Sequence, residues 1–430
     1  MTFFSRLRLI LAVGSVESFG VIVAGIAGLI IVNLLPKDQY AAYTFLTTCV
    51  VLVLGMTDVG LAHCCLPVVG QRAGDVGWVA TACHQVFRKR WWLLLIGFAV
   101  VVPYWIYSTQ QHDWSGSAFW LASLLVVAVV LFTLQEHYAG TVLKILGRIG
   151  TLNGVAFTSH GLRLLLVAAV LVVLPIGSFS LAGVFAATAL AGLCSLLLYR
   201  RAFRTHGVVA QPMTPDEARR VDADIYRIAA PLVLPSLFYQ FQGVITVFIV
   251  SLFGTASMLA EVGALGRISM VLVVFDRVAA ILLFPAIARA ADGARLASMV
   301  VKAHAGYLAI MAIVFVTSLV WPQYWILLIG EQYAAQQPLL WMAFLATLLI
   351  NSAGFAFRTI AARGHTALQT YIIPFVLGIQ MLYLWRFGVA DLRAVLGFGI
   401  ATCLANFLYQ YAMLTVWFVR KKRERAAAVA

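Results

Sequence analysis

The chain has 430 residues, of which 63% are hydrophobic and only 11% are charged, and its mean hydropathy is +0.97. This composition excludes an ordinary soluble globular protein. The formal net charge of +14 could suggest nucleic acid as a partner, but the basic residues lie between apolar runs, which argues against that class of partner.

Apolar runs of about 20 residues recur along the whole chain, and each is long enough to cross a hydrocarbon core of ~30 Å as a helix. The runs are continuously apolar rather than alternating, which excludes membrane strands. The sequence therefore predicts an all-α, polytopic membrane protein of about twelve transmembrane helices. The predicted spans are residues 9–35, 41–69, 91–107, 118–138, 150–174, 180–199, 228–253, 262–287, 303–321, 337–357, 367–386 and 394–418.

The distribution of basic residues between these spans predicts the orientation of the chain. With the N-terminus in the cytoplasm, 24 of the 30 Lys and Arg residues lie in cytoplasmic segments, and only Lys37, Arg386 and Arg393 lie in segments on the other side. This asymmetry is typical of the positive-inside rule. Both termini are therefore expected to be cytoplasmic, and the first span is interpreted as retained because no cleavage site precedes Pro36.

A shift of the sequence by 218 residues aligns the first two spans with the seventh and eighth. Asp58 then falls on Asp276, and Pro67 falls on Pro285. A repeat in which both copies start from the same side is parallel, as in transporters built from two lobes. The sequence therefore predicts two pseudo-symmetric six-helix lobes around a central cavity, with an N-terminal lobe at 1–207 and a C-terminal lobe at 208–430.

The predicted linker between the lobes contains the longest polar stretch of the chain. Within it, Thr214-Pro215-Asp216-Glu217 has the pattern of a capping box followed by proline at the first helical position. A short helix is therefore expected to begin there and lead into the seventh span.

Ionisable residues inside spans are expensive and usually face a cavity or a partner, with insertion scales giving roughly 2.5–3.5 kcal/mol for a central Arg, Lys or Asp. The cationic candidates are Arg163 with His160 one turn away, Arg267 and Arg277. For each arginine a cavity role, an interhelical pair and snorkelling stay open. The carboxylate candidates for binding a coupling ion are Glu17, Asp58 and Asp276, although the two aspartates could equally pin neighbouring helices.

The seventh span begins with two prolines, Pro231 and Pro235, and continues with the polar residues Tyr239, Gln240 and Gln242. A broken helix is tolerated in a membrane only where its backbone faces protein or water. This span is therefore expected to line the transport pathway.

Several short motifs stand out along the chain. They are a short loop that ends in Tyr40, the segment Thr57-Asp58-Val59-Gly60-Leu61, and three segments of the C-terminal half at 329–333, 337–340 and 361–364. Together they resemble the Wzx-like polysaccharide flippases of the multidrug/oligosaccharidyl-lipid/polysaccharide (MOP) exporter superfamily. The sequence departs from the pattern in the seventh span, where many relatives have an aspartate and this chain has Gln242-Gly243.

The resemblance implies a flippase of the bacterial inner membrane. Its substrate would be an undecaprenyl-pyrophosphate-linked oligosaccharide, moved from the cytoplasmic to the periplasmic leaflet by alternating access. Arg163, Arg267 and Arg277 are then expected to attract the diphosphate, with His160, Tyr239, Gln240 and Gln242 as further substrate contacts. No cofactor or metal is expected beyond a coupling H⁺ or Na⁺. The expected partners are membrane lipids and polysaccharide polymerase and export proteins.

Three alternatives stay open. A multidrug/cation antiporter shares the scaffold, but cationic drugs favour an acidic cavity, and three intramembrane arginines argue against it. A membrane glycan polymerase or ligase would need an external catalytic constellation, and no such pattern is found in the sequence. A scaffold or scramblase of an assembly complex is the third alternative.

Overall fold

The computed structural model describes residues 20–173, 177–268, 283–284, 287, 290, 293–363 and 368–429. Within these residues ten helices are long and apolar enough to cross a membrane, and a shorter apolar helix runs over Gly20–Leu34. The all-α polytopic fold class is confirmed. The helices are α1 (Gly20–Leu34), α2 (Lys37–Asp58), α3 (Cys65–Val69), α4 (Val76–Gln111), α5 (Ser117–Ile145), α6 (Ile149–Ala168), α7 (Ser180–Thr205), α8 (Pro215–Ala229), α9 (Val233–Phe253), α10 (256–268), α11 (Ala294–Val320), α12 (Pro322–Ile329), α13 (Leu340–Ala361), α14 (Ile372–Phe387) and α15 (Leu392–Val429).

Contacts divide the chain into two compact units. The first unit comprises Ile26–Ala260, and the second comprises what is described of residues 261–430 and of residues 1–25. The contact boundary falls after residue 260, and helix α9 groups with the first unit. The predicted division into two six-helix lobes after residue 207 stays a prediction.

Helix α2 ends earlier than the predicted span 41–69. Its last residue is Asp58, and the chain then passes through two left-handed residues, Val59 (φ 36°) and Gly60 (φ 88°). Glycine is required at the second of them, because a β-carbon on Gly60 would lie 2.7 Å from Cβ of Leu232. Asp58 therefore lies at the end of a helix and not in the middle of a span.

Helix α4 is longer than the predicted span 91–107, because it begins at Val76 and continues to Gln111. Asp75 caps its start by accepting a hydrogen bond of 3.0 Å from the backbone N–H of Trp78. This hydrogen bond is the main reason why the pKa of Asp75 is lowered. The basic residues at 88–90, which the sequence assigned to a cytoplasmic loop, are helical.

The capping box at the start of α8 is confirmed. The Thr214 side chain accepts from the backbone of Glu217, and the Glu217 carboxylate accepts from the backbone of Thr214 at 3.2 Å. The helix packs its apolar face, with Ile225 fully buried, against α3 and α4 within the first unit. Asp222 holds α8 against α4. Its carboxylate forms an ion pair with Lys89 Nζ at 2.9 Å and accepts a hydrogen bond from Gln85 Nε2 at 3.1 Å.

Helix α9 follows α8 after a 3₁₀ turn over Ala230–Leu232, so the predicted break at Pro231 is confirmed. At its other end α9 is tied to the last turns of α4. Tyr104 shares a hydrogen bond of 2.5 Å with the Ser251 hydroxyl, and the His112 ring donates Nε2–H to the Ser251 carbonyl at 3.1 Å.

The second unit is built mainly from α11, α13, α14 and α15. The segment between the predicted spans 303–321 and 337–357 holds helix α12 and the start of a 3₁₀ helix over Glu331–Leu339. A buried histidine links three of the helices, because the two ring nitrogens of His304 lie 3.1 Å from Thr359 Oγ1 and 3.4 Å from the Tyr411 hydroxyl.

Candidate functional site

A charged cavity lies inside the first unit. Its volume is about 590 Å³, and helices α2, α4, α5, α6 and α9 form its walls. The lining combines small and apolar residues with seven polar or charged side chains. These seven are Asp58, Arg90, Glu136, His137, Thr141, Lys144 and Gln240.

Arg90 and Asp58 face each other in this cavity. Arg90 is only 3% exposed, and its Nη1 lies 3.7 Å from Oδ1 of Asp58. Its Nη2 donates to Thr57 Oγ1 at 3.3 Å, and its guanidinium carbon lies 4.9 Å from the Phe87 ring. Burial of this kind is expensive for a charge and has to be compensated by neighbouring polar groups.

Glu136 connects the cavity to helix α6. Its carboxyl group interacts with the Ser195 hydroxyl and with the Arg163 guanidinium. Glu136 Oε1 and Arg163 Nε are both buried and have no hydrogen-bond partner within the described parts of the chain. Glu136 lies inside helix α5, which continues to Ile145.

The structure brings some of the predicted site residues together and separates others. Asp58 and Gln240 line the same cavity. Arg163 interacts electrostatically with both His160 and Glu136. Tyr239 and Gln242 lie on α9 beside Gln240 but are not part of the cavity lining.

The remaining predicted residues lie elsewhere. Arg267 is half-buried on α10 in the second unit. Glu17, Asp276 and Arg277 lie outside the described residues. Their predicted roles, and the internal repeat that pairs Asp58 with Asp276, stay predictions.

Sequence reasoning missed Arg90, Lys144, Glu136 and His137 as cavity residues. Arg90 was assigned to a loop because the basic run at 88–90 precedes the apolar run of the third span. Helical periodicity was the available signal, since Arg90 lies on the same face as the buried Val86, four residues earlier, and Leu94, four residues later.

Likeness to known proteins is found at the level of the fold. No family model and no curated protein matches the sequence. Solved structures do match. An inward-facing multidrug resistance MATE family transporter of the MOP superfamily has a TM-score of 0.72 at 16% identity, with 95% of this chain and 96% of that chain covered.

Two further structures match over nearly the full length. The outward-facing form of a MATE family transporter of the MOP superfamily has a TM-score of 0.61 at 15% identity, covering 96% of each chain. A MOP superfamily transporter from Pyrococcus furiosus, described as having a binding pocket of reverse polarity, has a TM-score of 0.60 at 15% identity and also covers 96% of each chain.

At this level of identity the likeness shows the fold. The chain is an integral membrane protein with the helical scaffold of the MOP-superfamily transporters. Fold alone does not define a substrate. The substrate therefore has to be argued from the charged groups of the first unit.

Proposed function

We propose that this chain is a flippase for an undecaprenyl-pyrophosphate-linked oligosaccharide, an O-antigen or exopolysaccharide repeat unit. It would move the glycan from the cytoplasmic to the periplasmic leaflet of a bacterial inner membrane by alternating access, with both termini in the cytoplasm. The observation that carries the proposal is the presence of two arginines, Arg90 and Arg163, inside the helical bundle of the first unit, each with a buried Nε that lacks a hydrogen-bond partner among the described residues.

The physical obstacle to flipping is the polar headgroup, because each unsatisfied polar group in hydrocarbon costs several kcal/mol. A guanidinium presents a planar fork of N–H donors that matches the oxygens of a phosphate. A cationic polar interior therefore suits a diphosphate-linked glycan, while the lipid tail stays in the bilayer.

The proposal keeps the other roles inferred from the sequence. Arg163, His160, Arg267, Arg277 and the polar residues of α9 would contact the substrate. Asp58, Glu17 or Asp276 would bind a coupling H⁺ or Na⁺. Membrane lipids would surround the chain, and polymerase and export proteins would receive the product. The Pyrococcus furiosus transporter supports the proposal, because it is described as having a reversed pocket polarity and a different function on the same fold.

The direct test is transport by purified protein in liposomes. A labelled pyrophosphate-linked oligosaccharide lipid would be supplied in one leaflet, and its appearance in the other would be followed with and without a proton or sodium gradient. Arg163→Ala is expected to abolish flipping while the protein still inserts, and Arg163→Lys should retain part of it. The exposed Arg148→Ala variant is the matched control. Normal flipping by Arg163→Ala would contradict the proposal.

A multidrug/cation antiporter is the second candidate, because the MATE transporters that match are described as multidrug resistance proteins. Asp58 and Glu136 would then attract the cation. Efflux of a fluorescent organic cation from the same liposomes distinguishes the two. Robust efflux that depends on Glu136, together with absent glycan flipping, would favour the antiporter.

A further inference from the structure

Two buried thiols meet where α3 packs on α4. Cys65 is the first residue of α3, Cys83 lies within α4, and the Cys83 thiol donates a hydrogen bond to the sulfur of Cys65. The two side chains are 1% and 0% exposed, and both are free thiols. A contact of this kind places the two sulfurs within a short side-chain movement of a disulfide.

Charged groups of the cavity lie beside this thiol pair. Arg90 and Asp58 both interact electrostatically with Cys65. Cys65 lies outside the membrane-spanning helices, and its pKa is lowered mainly by the hydrogen bond from Cys83 and further by Arg90. The thiolate is the nucleophilic form of cysteine, and a neighbouring guanidinium favours that form. Cys65 is therefore the more reactive thiol of the pair.

The cavity gives a small oxidant a route toward the pair. Its lining includes Arg90 and also Ala62, which lies one turn before Cys65. Hydrogen peroxide is little larger than water, so it can enter a volume of about 590 Å³. A buried thiol pair beside a polar cavity can thus be oxidised by a molecule that is too small to disturb the surrounding helices.

We propose that Cys65 and Cys83 are a redox pair that a hydroperoxide converts into a disulfide, with Arg90 favouring the Cys65 thiolate. The thiolate attacks one peroxide oxygen and the O–O bond breaks, which leaves a sulfenic acid on Cys65 and releases hydroxide. The Cys83 sulfur then attacks the Cys65 sulfur, the S–O bond breaks, and the Cys83 proton leaves with that oxygen as water. The two thiols lose two electrons in all, and the peroxide gains them. A thiol reductant reverses the reaction by exchange.

The disulfide holds together the two segments that carry the facing charges of the cavity. Asp58 lies seven residues before Cys65, and Arg90 lies seven residues after Cys83. Seven residues are close to two helical turns, so Cys83 and Arg90 share a face of α4. A covalent bridge therefore fixes the turn after α2 against α4 in the oxidised protein. This consequence is independent of which substrate the chain transports.

The test is peptide mapping of the purified full-length chain in detergent after treatment with hydrogen peroxide. Free thiols are blocked with an alkylating reagent before digestion. Trypsin cleaves after Lys37, Arg72 and Arg88, so the disulfide would join the peptide 38–72 to the peptide 73–88. We expect this linked product in the peroxide-treated chain, at the same yield at every protein dilution, and its loss after addition of dithiothreitol.

Serine variants identify the sulfur in the first peptide, which contains Cys49, Cys64 and Cys65. Cys65→Ser should abolish the linked product. Cys64→Ser is the matched control, because Cys64 is also fully buried but its sulfur lies 3.7 Å from the carbonyl oxygen of Gly60 and 3.8 Å from that of Ile225. The linked product should still form in Cys64→Ser. Its persistence in Cys65→Ser would overturn the assignment.

The rate of linking tests the part played by Arg90. Arg90→Gln should form the linked product severalfold more slowly, because the thiolate loses its neighbouring positive charge. Arg88→Gln, an exposed position two residues earlier on the same helix, should link as fast as the unaltered chain. Equal rates in both variants would remove Arg90 from the reaction. Oxidation of Cys65 to a sulfinic acid without any linked product, or no reaction in the unaltered chain, would overturn the redox pair itself.

Discussion

Gln240 of α9 packs directly against Gly55 of α2. A β-carbon placed on Gly55 would lie 2.9 Å from Cγ of Gln240 and 3.0 Å from its Cβ. The absence of a side chain on Gly55 therefore allows α9 to approach α2 and to add an amide group to the wall of the cavity. This contact joins a helix from late in the first unit to one near its start.

Gly55→Ala is expected to force α2 and α9 apart and to destabilise the protein by about 1–3 kcal/mol, the usual range for an extra methyl group in packed surroundings. The measurement is thermal unfolding in detergent. Gly154→Ala on α6 is the control, because no atom of the described residues lies within 4 Å of its β-carbon position. An equal loss of stability in both variants would show that the close approach is not the cause.

Removing the carboxylate of Asp222 should release α8 from α4. Asp222→Asn loses the ion pair with Lys89 at 2.9 Å, in which both side chains are partly exposed, so the expected loss of stability is about 1 kcal/mol or less. The more sensitive readout is trypsin cleavage at Arg219 and Arg220, which should become faster as α8 detaches. Asp224→Asn, an exposed position on the same helix, should be cleaved like the unaltered chain.

His112 should make stability depend on pH. Burial lowers its pKa below the ordinary value of 6.5, so the folded chain favours the neutral ring. A lowered histidine pKa contributes stability that is present above about pH 6.5 and is lost as the pH falls through the lowered value. Melting temperatures between pH 5 and pH 8, a range set around the ordinary histidine pKa of roughly 6.5, should therefore fall on acidification.

The same series on His112→Gln should show a smaller fall, whereas the exposed His63→Gln should behave like the unaltered chain. Identical pH profiles for all three proteins would remove His112 as the cause. The hydrogen bond from His112 to the carbonyl of Ser251 opposes this fall, because the protonated ring still donates it.

In the second unit, Thr359→Val should leave a buried ring nitrogen of His304 without its partner. His304 is 6% exposed, and its Nε2 lies 3.1 Å from Thr359 Oγ1. Such an unsatisfied group costs about 1–3 kcal/mol, measurable as a lower unfolding temperature. Thr347→Val on the same helix is the control, because the Thr347 hydroxyl donates to the carbonyl of Ala343 within that helix.

Local patterns predicted the features that depend on neighbours in sequence. The capping box at Thr214 and the break at Pro231 needed only the order of a few residues, because capping and proline geometry are local effects. The all-α membrane class needed only hydropathy, since the bilayer accepts few other structures. The end of α2 was missed because Val59 and Gly60 read as part of an apolar run, and the left-handed turn there depends on how closely Leu232 approaches Gly60.

The amino-acid order alone was sufficient for the class of protein, the positions of most spans and the presence of deep charges such as Arg163. Only the tertiary structure decided which charges meet. Asp58, Arg90 and Glu136 are far apart in sequence and come from three different helices, and they line one cavity because of how those helices pack. A buried charge needs partners close to it in space. Hydropathy can be read from one segment of the chain, but the distance between two segments cannot.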